Sequence, residues 1–344
     1  MRVALDAQLA VGTATGIGEY VTGLYAALRA GGADAVALSS ARFDPWRFDR
    51  RVLWDQALLP LAAARSGADV LHCASGTMPL LAPLPVLVTV HDVAWLRVQA
   101  HARPYARAYF GAFSLARYPD ARRVIVDSHF SRGELLTLAP LDPARVDVVY
   151  PGVATDVMRV VRERDDHTPF VLNVGTLEPR KNFEVLVRAL VQLPGVRLVS
   201  AGPPTPYRER CLKLAHALGV AARVEARGYV ARATLLDLYA RAAVVAMPSR
   251  YEGFGYGAAQ ALCAGVPLVC AKSSSLPEVA GGDAELVPPD DVAGWQVALA
   301  AILADPAGAE RRAASVRARA CERFSWICAA RRFVSLYEGA LAET

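Results

Sequence analysis

Three groups of residues have the types and spacing to do chemistry. Glu252 stands beside Gly253, Phe254, Gly255, Tyr256 and Gly257, directly after the apolar run Val244 to Met247. Behind it come the helix formers Ala258 to Ala264 and a stop at Gly265-Val-Pro267. Strand, glycine turn, helix and stop form the grammar of a ligand-binding βαβ unit. The glycines admit a ligand close to backbone, and a helix N-terminus directs N–H groups at an anion. A carboxylate at that mouth would meet phosphate unfavourably, so Glu252 reads as an acceptor for hydroxyls beside the phosphate. The implied ligand is phosphorylated and carries hydroxyls; a nucleotide sugar fits. The second group is Arg180 and Lys181, after the strand Phe170 to Val174 and the Gly175 turn. A cationic pair there compensates two phosphates as a leaving group gains charge. Its alternative, a surface Arg-Lys at a helix start, is disfavoured by the helix dipole. The third is His91-Asp92 at the carboxyl end of Val86 to Val90, where open α/β sheets bind ligands. The plain alternative is a helix-capping Asp beside a structural His.

The elements that must position these groups alternate in the α/β manner. Arg2 to Ala7 reads as a strand, followed by the loop Gly12-Thr-Ala-Thr-Gly16-Ile-Gly18 and a helix from Glu19 to about Ala30. Its glycine spacing is not that of a dinucleotide fingerprint, so ligand contact and tight packing stay open. Val70–His72, Val86–Val90, Arg123–Ser128 and Val146–Tyr150 read as further strands. Pro151-Gly152 and the polar run Arg159 to His167 mark a linker. The pattern then restarts with strands at 170–175, 197–201, 223–227, 244–247 and 284–287, and helices to the end of the chain. Two domains are expected: 1–155, with a C-terminal helix of about 325–344 packing back on it, and 156–324. The 344 residues allow each a core of ordinary size.

Composition narrows the classes. Hydrophobic residues make up 54% and charged ones 21%, which excludes a disordered chain. The net charge of +5 comes from arginine, since Lys181, Lys213 and Lys272 are the only lysines. That charge is dispersed and no nucleic-acid reading motif occurs, so no nucleic-acid partner is expected. The six cysteines include no C-x-x-C pair and read as apolar residues in a reducing compartment. The chain enters a strand at once with no signal-peptide core, so a cytoplasmic location is expected. Residues 70–90 are long and uncharged enough for a membrane span, but Gly76, Pro79, Pro83 and Pro85 favour two buried strands. Residues 97–123 hold Arg97, Arg103, Arg107, Arg117, Arg122 and Arg123, with Tyr105, Tyr109, Phe110 and Phe113 at helical spacing. Such a segment suits peripheral contact with an anionic membrane at its inner face; equally, the aromatics are core and the arginines a solvated face. No D-x-D and no metal-spaced His/Cys cluster occurs, so neither metal nor cofactor is expected.

Several motifs, in order, resemble the retaining nucleotide-sugar glycosyltransferases of family 4, especially bacterial mannosyltransferases. They are Gly16-Ile-Gly-Glu-Tyr20, Thr89-Val-His-Asp92, Tyr150-Pro-Gly-Val153, Val174-Gly-Thr-Leu-Glu-Pro-Arg-Lys-Asn182, Pro248-Ser-Arg-Tyr-Glu-Gly-Phe-Gly255, Ala264-Gly-Val-Pro267 and Leu276-Pro-Glu-Val279. The resemblance implies the GT-B fold, two Rossmann-like parallel-sheet domains facing across a cleft. It implies transfer of a hexose, with mannose from GDP-mannose favoured, to a glycan or lipid-linked saccharide in polysaccharide assembly. A UDP-hexose or deoxyhexose donor, or a degenerate homologue that only binds nucleotide sugar, are the alternatives. Carried over by position, Arg180 and Lys181 would hold the donor diphosphate. Glu252, Gly253, Phe254 and Gly255, with Tyr256 and the Gly175 turn nearby, would hold the sugar and diphosphate. Gly228, Tyr229 and Val230 would line the base pocket. His91 would contact the sugar or its departing phosphate, and Gly16 and Gly18 would close on the diphosphate. The family carries a second glutamate eight positions after the first, on the ribose. Here that place is Gln260, whose amide offers one acceptor oxygen where a carboxylate offers two. No residue stands out as a nucleophile for double displacement, so the resemblance implies a front-face displacement assisted by the departing phosphate.

Overall fold

The computed structural model describes residues 1–12, 16–98, 104–163 and 168–342. The chain divides into two compact units, Met1–Ala154 with Phe324–Thr344, and Thr155–Arg323. Each is built on a six-stranded, wholly parallel sheet.

In the first unit the order is β2-β1-β3-β4-β5-β6, with β1 Arg2–Asp6, β2 Asp34–Leu38, β3 Val70–Cys73, β4 Val86–Val90, β5 Arg123–Val126 and β6 Val146–Val148. β3 and β4 are buried at every residue, as strands covered on both faces must be. Residues 70–90 therefore form two strands around a proline loop. The Gly16–Ala30 helix lays Tyr20, Val21, Leu24 and Leu28 on one core face. The C-terminal helix Trp326–Ala342 joins the same core through Phe333, Leu336, Tyr337 and Ala340. Val153 N–H bonds the Phe324 carbonyl at 2.8 Å where the chain re-enters this unit.

The second unit orders its strands β12-β11-β10-β7-β8-β9, with β7 Phe170–Val174, β8 Arg197–Ala201, β9 Val224–Ala226, β10 Val244–Met247, β11 Leu268–Ala271 and β12 Glu285–Val287. This is the doubly wound order, and its direction reverses between β7 and β10. The turns after those two strands therefore open on one crevice, which is where such sheets bind ligands. Among the described residues no single helix is long and apolar enough to cross a membrane.

The sequence reading assigned neither β2 nor the helices Phe48–Leu53, Leu59–Arg65 and His129–Leu138. A π-helical turn at Trp54–Leu58 joins the first two and interrupts their period. The Ser128 side chain caps the third by accepting from Ser131 N–H.

Candidate functional site

The switch point of the second unit gathers Arg180 and Lys181 from the turn after β7 with Glu252 and its glycines from the turn after β10. Pro179–Lys181 make one 3-10 turn, and Asn182 ends it in the left-handed region at φ 54°. Asn tolerates that conformation, and its side chain also donates to the Pro289 carbonyl at 2.6 Å. The next helix, Phe183–Ala189, thus starts two residues after Lys181, with Asn182 between them. Arg250 N–H bonds the Arg180 carbonyl at 2.7 Å, tying the two turns together.

Glu252 is only 4% exposed. Lys181 Nζ lies 2.6 Å from both of its oxygens, Arg180 Nη1 is 3.4 Å away, and the Ser249 hydroxyl donates at 2.7 Å. Burial pushes the carboxyl up, but Lys181 and then Arg180 outweigh it and hold Glu252 below its ordinary value. It is therefore a carboxylate at neutral pH. Arg180 is further engaged by Glu178 at 2.7 Å and by the Tyr251 carbonyl at 3.0 Å. An ammonium has three donors, so Lys181 keeps one for another acceptor after serving both Glu252 oxygens.

Gly255 lies at φ +95°, and a Cβ there would come 2.6 Å from the Leu276 side chain. No other residue fits without moving Leu276. The helix it opens, Tyr256–Ala264, is buried from Gly257 onward. A Cβ on Gly257 would meet Met247 Sδ at 3.0 Å and the Val174 carbonyl at 3.3 Å, so this glycine lets the helix lie close on β7 and β10. Gln260 sits inside that helix, 3% exposed, and its Oε1 accepts the Tyr239 hydroxyl at 2.9 Å. Phe254 is buried, whereas Tyr229, after β9, is 51% exposed between half-buried Gly228 and Val230.

In the first unit His91 follows β4 and is held by the ends of both neighbouring strands. Its Nδ1 lies 2.6 Å from Asp127 Oδ2, after β5, and its Nε2 lies 3.0 Å from the Ala74 carbonyl, after β3. Asp92 instead accepts from Ala94 N–H at 3.0 Å, an Asx turn that leads into the helix Ala94–Arg97. Gly18 is buried, and a Cβ on it would approach the Leu9 carbonyl to 2.9 Å; Gly16 has open space around it. Residues 13–15 of that loop lie outside the described residues.

Residues 15–157 match the model for Glycosyltransferase Family 4, and residues 155–320 that for Glycosyl transferases group 1. Together the two matches span residues 15–320, and the chain is similar to both families. It is 34% identical over 238 residues to the D-inositol 3-phosphate glycosyltransferase of Mycolicibacterium paratuberculosis, covering 65% of this chain and 54% of the relative. The counterpart from Mycolicibacterium smegmatis is 32% identical over 239 residues, with 65% and 54% covered. The chain thus spans about half the length of the curated relatives it matches. Those relatives are named for an inositol phosphate and not as mannosyltransferases. Among solved structures, a sucrose-phosphate synthase of Thermosynechococcus elongatus superposes with a TM-score of 0.82 at 22% identity, covering 100% of both chains. HepE of Anabaena in complex with UDP and glucose superposes at 0.76 and 16% identity, covering 98% of this chain and 99% of that one. At such identities these two support the fold alone.

The basic aromatic segment, residues 97–123, is not the single arginine-flanked face that its spacing allows. Tyr105, Tyr109 and Phe110 pack around Phe48, and Tyr109 stacks on Phe113. Arg97 pairs with Glu134, Arg117 with Asp120 and Arg123 with Asp147. Arg103 lies outside the described residues. Tyr105 and Trp95 remain exposed on the surface.

Sequence reasoning missed the serines that brace the glycine turn. Ser274 Oγ accepts from Glu252 N–H at 2.9 Å, and Ser275 Oγ donates to the Glu252 and Phe254 carbonyls at 3.0 and 2.8 Å. The signal was available as three consecutive serines at the end of β11. Asp127 was missed as well, because nothing local ties it to a histidine 36 residues earlier. Among the described residues no group of three His, Cys, Asp or Glu side chains gathers as metal ligands do.

Proposed function

We propose that this chain transfers a hexose from a nucleotide-sugar donor to a hydroxyl of a glycan-type acceptor, with retention at the anomeric carbon. One observation carries the reading. At the switch point of the second unit, a cationic pair and a buried carboxylate converge on a glycine turn that opens a helix. Lys181, through its remaining N–H, and Arg180 are assigned to the diphosphate. Glu252, ionised and fixed by Lys181 and Ser249, is assigned to the sugar hydroxyls, with Gly253, Phe254, Gly255, Tyr256 and the Gly175 turn beside it. Gly228, Tyr229 and Val230 are assigned to the base. Gln260 is assigned to the ribose, for which its amide must share its oxygen with Tyr239. In the first unit, His91 is assigned to the sugar or its departing phosphate, and Gly16 and Gly18 to the diphosphate. Retention then follows a front-face displacement in which the departing phosphate helps to deprotonate the acceptor.

GDP-mannose is the donor proposed, on the wording of the Leu-Glu-Pro-Arg-Lys-Asn motif, and a lipid-linked saccharide the acceptor. A second acceptor reading, a phosphorylated cyclitol, is favoured by the relatives named for D-inositol 3-phosphate. Exposed Trp95 and Tyr105 support peripheral contact with an anionic membrane. Sedimentation with anionic but not neutral vesicles, reduced by Arg107→Glu, is the expected result; equal partition onto both would remove that contact.

The deciding experiment screens GDP, UDP and their common sugars by thermal shift. The stabilising donor is then offered to each acceptor class, and the anomeric configuration of the product is read by NMR. Stabilisation by UDP-hexoses and not by GDP-mannose would overturn the donor. An inverted product would overturn retention, and tight donor binding without transfer to any acceptor would leave a binding protein.

A further inference from the structure

The surroundings of His91 restrict what its ring can do. It sits at the carboxyl end of β4, between Ala74 after β3 and Asp127 after β5, so three adjacent parallel strands deliver the three groups side by side. A carbonyl oxygen can only accept, so at 3.0 Å from Ala74 the Nε2 atom must carry its hydrogen. Nδ1, at 2.6 Å from Asp127 Oδ2, shares a proton with a carboxylate. Neither nitrogen keeps a free lone pair. The ring of Tyr20 stands against the imidazole at 4.6 Å and 80°, which hinders its rotation. Asp127 depends on this contact, for its other oxygen is buried without a hydrogen-bond partner.

We infer that Asp127 is a positioning residue which, with the Ala74 carbonyl, holds His91 as a double N–H donor. The imidazole then meets its ligand as a hydrogen-bonding cation and not as a proton acceptor. This rests on the assignment of His91 to the sugar or its departing phosphate. A phosphate oxygen is a stronger acceptor than an amide carbonyl, so it takes the Nε2 hydrogen from Ala74 while Asp127 keeps Nδ1 in place. The ring is 17% exposed, enough for that exchange. Burial raises the Asp127 carboxyl above its ordinary 3.8 while His91 opposes that rise, so the proton between them is shared across the 2.6 Å contact. Burial disfavours the cation, but Asp127, and behind it Asp92, raise His91 above its ordinary 6.5. From β3, His72 brings no charge: burial, and secondarily His91, lower it to about 3. It is engaged by the Tyr337 and Thr89 hydroxyls at 2.8 and 2.7 Å.

The test is ¹⁵N NMR of histidine-labelled protein, with His91 assigned by its loss in His91→Gln. Both ring nitrogens of His91 are expected to stay protonated well above pH 6.5 in the wild type. In Asp127→Asn one nitrogen should lose its proton in that range, and Asp127→Glu should restore the doubly protonated form in part. Turnover in Asp127→Asn should fall on the order of 100-fold, the lower end of what one preorganised hydrogen-bond donor contributes, and Asp127→Glu should recover part of it. Nucleoside diphosphate, which carries the departing phosphate, should bind more weakly to Asp127→Asn, because a neutral ring loses the charge-assisted contact. A wild-type His91 with one bare nitrogen at pH 7.5 would overturn the inference, even if no Asp127 variant folds. Unchanged protonation in a folded Asp127→Asn would overturn it too. Because the NMR readout needs no donor, failure to find transfer would strike the proposed function and leave this test standing.

Discussion

Lys181→Met should unfold the second unit more easily, although Lys181 is assigned to a ligand. Its Nζ lies 2.6 Å from both oxygens of a carboxylate that is 4% exposed. Removing one partner of a buried pair costs about 3–5 kcal/mol, because the other charge is left buried and uncompensated. Arg180 at 3.4 Å and the Ser249 hydroxyl at 2.7 Å remain, which places this loss near the lower end, about 3 kcal/mol. For a unit of this size each kcal/mol moves Tm by about 2–4 °C, so a fall of roughly 6–12 °C is expected. Glu252→Gln removes the charge that needs compensation. Thermal unfolding of Lys181→Met, Glu252→Gln and the double variant, followed by circular dichroism, closes the cycle. The double variant should regain at least half of what Lys181→Met loses. A Tm for Lys181→Met within about 2 °C of wild type would refute the reasoning, as would a Glu252→Gln change that brings no relief.

Acid should remove the same contribution. Glu252 is held below its ordinary 4.5, so its stabilisation is complete above that value and lost as pH falls through the lower folded one. The Tm gap between wild type and Glu252→Gln should therefore narrow below about pH 4, and a constant gap down to pH 3 would contradict the shift. Gly152→Ala should loosen the C-terminal helix, since a Cβ there would overlap the Trp326 indole; about 1–3 kcal/mol of destabilisation is expected for such overpacking, and an unchanged Tm would count against it. Transfer should keep most of its rate in excess EDTA, and full loss restored by magnesium or manganese would show that Arg180 and Lys181 do not neutralise the diphosphate alone.

Much of the fold was legible because buried parallel strands announce themselves as short apolar runs between Gly and Pro. Val86–Val90 and Val244–Met247 lie where the pattern puts them. β2 escaped notice because Asp-Ala-Val-Ala-Leu is short and has two alanines among its five residues, with no β-branched run to mark it. The Phe48–Arg65 segment escaped because its π turn breaks the 3.6-residue period. Types and spacing singled out Glu252, Arg180 and Lys181, which the structure brings together, but not their mutual pairing. Sequence presents a cation before a helix and a carboxylate 71 residues later as separate ligand contacts. Only the β7–β10 adjacency makes them partners. His91 follows the same logic, for its partner arrives from the neighbouring strand and not from the adjacent Asp92.

The pairing has a consequence for anion binding. Arg180 and Lys181 face Glu178 and Glu252, so the switch point is neutral as it stands. A diphosphate entering such a site must compete for the cations already engaged. Lys181 can meet it with a third donor and keep Glu252, whereas Arg180 has one guanidinium nitrogen on Glu178 and another on Glu252 and the Tyr251 carbonyl. Glu178, 23% exposed, is the competitor that can be removed without touching Glu252. Glu178→Gln should then release Arg180 toward phosphate and relieve one like charge. A gain of about 1 kcal/mol in nucleoside diphosphate affinity, roughly fivefold, is expected from a charge-assisted contact that no longer has a rival. The gain should shrink as salt is added, because the site is partly open. Calorimetric titration of GDP and UDP into both proteins decides it. Unchanged or weaker binding in Glu178→Gln would mean that Arg180 is a brace between the two turns and that Lys181, with the backbone of the glycine turn, holds the diphosphate without it.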